Sequence, residues 1–145
     1  MNTTIAEILV TGCLLLADAV WDIRKREILL LPTLLVLAGG VIRGIAAASH
    51  SELWILALLP GAVLLLLSLA TSGKVGFGDG LAVCAAGIWC GFEQILLALF
   101  FALLLVPAAA GVLFLRKRRP KELPFLPFLL AGFLCMQAVL RSGGA

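Results

Sequence analysis

The chain has 145 residues, of which 63% are hydrophobic and only 13% charged, and its mean hydropathy is +1.18. Soluble domains are roughly half apolar and a quarter charged, so this composition excludes an ordinary water-soluble fold and leaves the lipid bilayer as the expected solvent. The formal net charge of +3 says little by itself; where the charges sit says more.

Six apolar runs, at residues 5–21, 28–45, 53–70, 81–91, 95–115 and 123–140, predict an all-α polytopic membrane protein, a bundle of six transmembrane helices. A spanning helix takes about 20 residues, so no length remains for a second domain and residues 1–145 are expected to form one membrane-embedded unit. The first run lacks the basic start and small-residue cleavage site of a signal peptide, and is read as a retained span. It carries Glu7, Thr11, Asp18 and Asp22. At about 100° per residue these four fall in a stripe about 60° wide, which should face the protein interior. Acids at membrane depth are costly, and where they occur they generally point into a bundle or wet cavity and carry function.

The connections between the runs hold nearly all the charge. Alternating them across the bilayer puts Arg24, Lys25, Arg26, Lys74, Arg116, Lys117, Arg118, Arg119 and Lys121 on one side and Arg43 and Arg141 on the other. By the positive-inside rule the first group is cytoplasmic and both termini lie outside. The cluster at 116–121 is accordingly a topology anchor beside a membrane helix, and no nucleic-acid partner is expected.

The fourth run is short: a dozen residues at about 1.5 Å each cover about 18 Å of a hydrocarbon core about 30 Å thick. A re-entrant hairpin is the alternative, but it would put the basic cluster on the outer side, so the run is read as a short span extended at both ends. Gly80, Cys84, Gly87 and Gly91 recur along it at the spacing that lets membrane helices approach closely, which predicts a buried central helix. Asp79 opens this helix after Gly76-Phe77-Gly78, and the two glycines permit backbone angles and approaches closed to other residues. Taken alone, an Asp in such a turn ordinarily caps the helix that follows.

Topology adds a second meaning. Asp22 ends an inward-running helix and Asp79 starts an outward-running one, so both are expected at the same cytoplasmic level. Two carboxylates in a partly desolvated cleft do not both ionise cheaply and tend to share one proton, leaving one as base and one as acid. Such a pair activates a water for attack on a peptide carbonyl while protonating the carbonyl oxygen, with neither metal nor cofactor. Competing machinery is sparse: His50 falls on the predicted outer side, and Cys13, Cys84, Cys90 and Cys135 are scattered singly with no CxxC pair. They read as buried small hydrophobes, not as metal ligands or a disulfide framework.

The segment Asp22-Ile23-Arg24-Lys25-Arg26-Glu27-Ile28, the tetrad Gly76-Phe77-Gly78-Asp79 and the run Pro124-Phe125-Leu126-Pro127-Phe128 together resemble the type IV prepilin peptidase family of GxGD intramembrane aspartyl proteases. The resemblance implies a six-span core and removal of a short basic leader from prepilins or pseudopilins at the cytoplasmic boundary of the bacterial inner membrane. It also implies Asp22 and Asp79 as the catalytic pair, Gly76 and Gly78 shaping the approach to Asp79, and Asp18 as a supporting or structural acid. Two departures stand out. Many members follow the first motif with Ile-Pro-Asn, whereas Ile28 here precedes Leu29 and Leu30. The short connection after Asp22 also lacks the cysteine-bearing region associated with N-methylation in larger members, so the chain looks like the peptidase-only enzymes serving tight-adherence (Flp-type) pili.

Two other function classes compete: a small proton- or cation-coupled transporter using Glu7, Asp18 and Asp22 as a relay, and an inactive assembly scaffold.

Overall fold

The computed structural model describes residues 5–25, 30–46, 54–71, 76–115 and 125–143. Among these the protein is all-α, with six helices and no strand: α1 (Ile5–Lys25), α2 (Leu30–Ala46), α3 (Leu59–Ala70), α4 (Phe77–Cys90), α5 (Phe92–Leu115) and α6 (Leu126–Gly143). A 3₁₀ turn, Leu56–Leu58, leads into α3, whose first turn holds Pro60 where no backbone N–H is needed. All six apolar runs are helical. Several boundaries lie about a turn or more from the sequence expectation: α1 continues past Trp21, α3 begins at Leu59, α4 starts at Phe77 and takes Gly78 and Asp79 into its first turn, α5 starts at Phe92, and α6 is shifted by three residues.

Helix α4 is the axle of the bundle. Nine of its residues are buried: Gly80, Ala82 through Ile88, and Cys90. It is packed by α1, α2, α3 and the start of α5, while α6 lies against α5 and α1. The small side chains make this possible. A Cβ on Gly80 would meet Leu65 Cγ of α3 at 2.8 Å, one on Gly87 would run into the Ala57 carbonyl, and one on Gly61 would meet the Cys84 backbone N at 2.6 Å and the Gly80 carbonyl oxygen at 2.8 Å. The backbones of α3 and α4 are therefore as close as glycine allows, which is how helices associate without large interlocking side chains. On the far side Gly132 of α6 sits against Ala98 and Ala102 of α5 in the same manner.

Around this axle the core is Leu15 and Ala19 from α1, Ala82, Val83 and Ala86 from α4, Ile95 and Ala98 from α5, and Leu129, Phe133 and Met136 from α6. The cysteines divide, against the expectation that all four are buried: Cys84 and Cys90 are inside, whereas Cys13 and Cys135 lie on the outer surface of α1 and α6. Along an apolar helix a thiol is small enough for either face. Helix α5 is apolar and long enough to cross a membrane over Phe92–Val112, and four further apolar helices are shorter.

Candidate functional site

The polar stripe of α1 does face inward. Thr11 and Asp18 are fully buried, and Glu7 and Asp22 are partly covered. At one end of the bundle Glu7 pairs with Arg43 near the end of α2. The Arg43 guanidinium also lies 5.1 Å from the centre of the Trp89 ring, and the Trp89 indole N–H donates to the Val36 carbonyl at 3.0 Å. About one turn along α1 the Cys90 thiol donates to Thr11 Oγ1 at 3.3 Å. Continuing along α1, the Thr33 hydroxyl of α2 donates to Asp18, at 3.0 Å from Oδ2 and 3.3 Å from Oδ1.

The opposite end of α1 brings Asp22 to where α4 and α6 begin. Asp79 is the third residue of α4, half-buried, with its backbone N–H bonded to the Gly76 carbonyl at 3.1 Å. Residue Gly76 itself is the N-cap, and no side chain caps this helix. The ordinary capping role for Asp79 is thus not what the geometry shows, and its carboxyl lies within electrostatic range of Asp22. Asp22 takes a backbone hydrogen bond from Leu126, the first residue of α6. That N–H is one of the donors a helix start leaves without an internal partner, and Phe125 ahead of it accepts from Phe128 and Leu129 to open the helix. Asp22 Oδ2 is buried with no hydrogen-bond partner among the described residues.

Two carboxyls from distant parts of the chain therefore lie within electrostatic range of each other near the N-termini of α4 and α6, whose partial positive charge favours an anion. Asp18, one turn deeper, is within electrostatic range of Asp22. The arrangement suits proton exchange with a small polar molecule held between Asp22 and Asp79, one oxygen of which already lacks a donor.

Of the two properties the sequence reading gave the glycines, Gly76 shows the close approach and not the unusual backbone angles. Gly76 has φ −60° and ψ 119°, angles open to any residue; what it supplies is room, because a Cβ there would meet Asp79 Oδ2 at 2.6 Å and Cγ at 3.1 Å. Gly78 is an ordinary helical residue of α4. Among the described residues the only glycine with positive φ is Gly91, at 90°, where the chain turns from α4 into α5. Gly76→Ala is accordingly expected to leave the melting temperature near wild type, since the obstructed atom is the mobile tip of a side chain, and to lower activity about 10- to 100-fold by displacing the carboxyl. Thermal unfolding and turnover measured on the same preparation check both halves.

Sequence reasoning did not find Thr33 or the Leu126 N–H. A lone hydroxyl in the run Leu29-Leu30-Leu31-Pro32-Thr33-Leu34-Leu35 was a readable signal for the first; a backbone donor leaves none. Residues His50, Lys74 and Arg116 to Lys121 lie outside the described residues, as do positions 26–29 of the first motif and Ser72 to Val75 ahead of the second.

Compared with known protein families, the chain matches the type IV leader peptidase family over residues 8–115, well over half its length. It belongs to that family, and its class is that of a peptidase. The match takes in α1 through α5, with Asp22 and Asp79, and ends before the Pro-Phe run that opens α6. No match is found among curated proteins or among solved structures.

Proposed function

We propose that this chain is an intramembrane aspartyl endopeptidase, a single membrane-embedded domain that removes the short basic leader of prepilin-like proteins. Asp22 and Asp79 form its water-activating dyad. The observation that supports the reading is that these two acids, 57 positions apart in sequence, come within electrostatic reach of each other.

One carboxylate takes a proton from a water as that water's oxygen bonds to the scissile carbonyl carbon. The other, protonated, gives its proton to the carbonyl oxygen, forming a neutral tetrahedral diol. Collapse of the diol returns a proton to the leaving amine, breaks the C–N bond and restores the shared-proton dyad. The Leu126 N–H and the α4 N-terminus favour the ionised member throughout.

Membrane embedding is supported by an inside-out distribution of polarity. Many large apolar side chains of α1, α2, α3, α5 and α6 are exposed, Leu9, Leu31, Leu66, Phe100 and Leu134 among them, while Thr11, Asp18, Thr33 and Ser68 are buried. Patches of that extent are rare on soluble monomers. On this reading the six helices span the bacterial inner membrane with both termini extracytoplasmic, and the dyad sits at the cytoplasmic boundary, where the substrate's leader meets its hydrophobic helix. The absence of Cys from the connection after Asp22 favours leader removal without methylation, as for Flp-type pilins. A relay through Glu7 is disfavoured by its pairing with Arg43.

The test is reconstitution in lipid vesicles with a tagged prepilin-like substrate carrying a basic leader, the product's new amino terminus being read by mass spectrometry. Release of the leader at one bond is expected. Intact substrate across a panel of such pilins, alongside ion flux in the same vesicles, would overturn the reading.

A further inference from the structure

Helix α1 shares one apolar cluster with α4 and α6: Leu15 and Ala19 with Ala82, Val83 and Ala86 of α4 and with Leu129, Phe133 and Met136 of α6. Apolar packing is non-directional, so it resists separation of the helices but sets the rotation of α1 about its own axis less sharply than a polar contact does. Rotation is what matters for Asp22. Its carboxyl stands about 5–6 Å from the helix axis, so a turn of 20° carries it about 2 Å sideways, more than the roughly 1 Å displacement that costs a catalytic group a hundredfold.

Directional contacts hold the angle: Cys90 donates to Thr11, the Leu126 N–H reaches Asp22, and Asp18 makes a third contact between them. Asp18 precedes Asp22 by one helical turn and lies about 40° from it around the axis. Its side chain is fully buried, as is Thr33, and the Thr33 hydroxyl reaches both of its oxygens. Thr33 stands in the first turns of α2, just after Pro32, and α1 otherwise touches α2 sparingly. A hydrogen bond in apolar surroundings is directional and expensive to leave unmade. It fastens α1 to α2 one turn from Asp22, and the Glu7–Arg43 pair fastens the same two helices at the far end.

We infer that Thr33, acting through Asp18, is a positioning residue that sets the rotation of α1 and so presents Asp22 to Asp79. This inference rests on the dyad reading above. Neither Thr33 nor Asp18 touches the substrate in this role; they hold the geometry in which Asp22 works.

The experiment compares Thr33→Val, Thr33→Ser, Asp18→Ala and the Asp18→Ala/Thr33→Val double variant with wild type and Asp79→Asn, as purified full-length protein in vesicles, recording kcat, KM and melting temperature. Val keeps the shape of Thr and removes the hydroxyl; Ser keeps the hydroxyl. Thr33→Val is expected to lose about tenfold or more in kcat with KM within about twofold of wild type, Thr33→Ser to restore kcat, and the double variant to be no worse than the poorer single, because both changes break one link. Wild-type kcat in Thr33→Val, or equal losses in Val and Ser, would overturn the inference while Asp79→Asn remained inactive and the dyad stood. A lowered melting temperature with unchanged kcat per folded molecule would reduce the pair to a structural tie and overturn it as well. Cleavage that persists in Asp79→Asn would overturn the dyad and this inference together, a result visible in the control.

Discussion

Replacing Asp79 with Asn is expected to abolish leader removal, with a fall in kcat of at least about a thousandfold, while the protein still inserts and melts near the wild-type temperature. The amide matches the carboxyl in size and still suits the first turn of α4, but it neither accepts a proton from water nor donates one to a carbonyl oxygen. Positioned acid–base groups contribute about 10²- to 10⁴-fold each. Asp22→Asn should cost about as much, and the Asp22→Asn/Asp79→Asn pair little more than either alone, because the two carboxyls act as one unit and losses within such a unit do not add. Gel-based cleavage of a tagged prepilin-like substrate, with insertion checked in parallel, measures all three. Cleavage retained by either single variant would remove that residue from the proposed dyad.

The second large effect concerns the axle rather than the chemistry. Gly61→Ala places a methyl group 2.6 Å from the Cys84 backbone N and 2.8 Å from the Gly80 carbonyl oxygen. Backbone atoms of a buried helix have nowhere to move without separating α3 from α4 along much of their length. Overpacking of this kind typically costs about 1–3 kcal/mol, occasionally more, and outweighs the gain of up to about 1 kcal/mol from exchanging Gly for Ala within a helix. Gly111 supplies the control: it is exposed on α5 and nothing lies within 4 Å of where its Cβ would be, so Gly111→Ala should leave stability unchanged or raise it. Opposite signs for the same chemical substitution, read as detergent-solubilised melting temperatures, would establish that close approach of α3 and α4 holds the bundle together. A neutral Gly61→Ala would show that the two helices tolerate separation.

Much of this was legible beforehand because the relevant physics is local. Long apolar runs separated by charge have few ways to satisfy their backbone groups other than helices, and all six appear where expected, to within a turn or so. The spacing of Glu7, Thr11, Asp18 and Asp22 put them on one face, and that face is inside. Small residues at three- and four-residue spacing marked α4 as the centre. In each case the information lies within one helix, where 3.6 residues per turn converts position into direction.

What the sequence by itself determined, then, was the all-helical class, the order and approximate extent of the six helices, the inward stripe of α1 and the family of leader peptidases to which the chain belongs. The tertiary structure decided the rest: that Asp22 receives the Leu126 N–H, that Thr33 grips Asp18, that Glu7 is taken by Arg43, and that Gly76 serves Asp79 by its missing Cβ instead of by unusual backbone angles. Apart from the local Gly76–Asp79 contact, these join residues 15 to 104 positions apart in the chain. Their geometry depends on how far each helix is rotated and shifted against its neighbours, and no periodicity within a single helix carries that information.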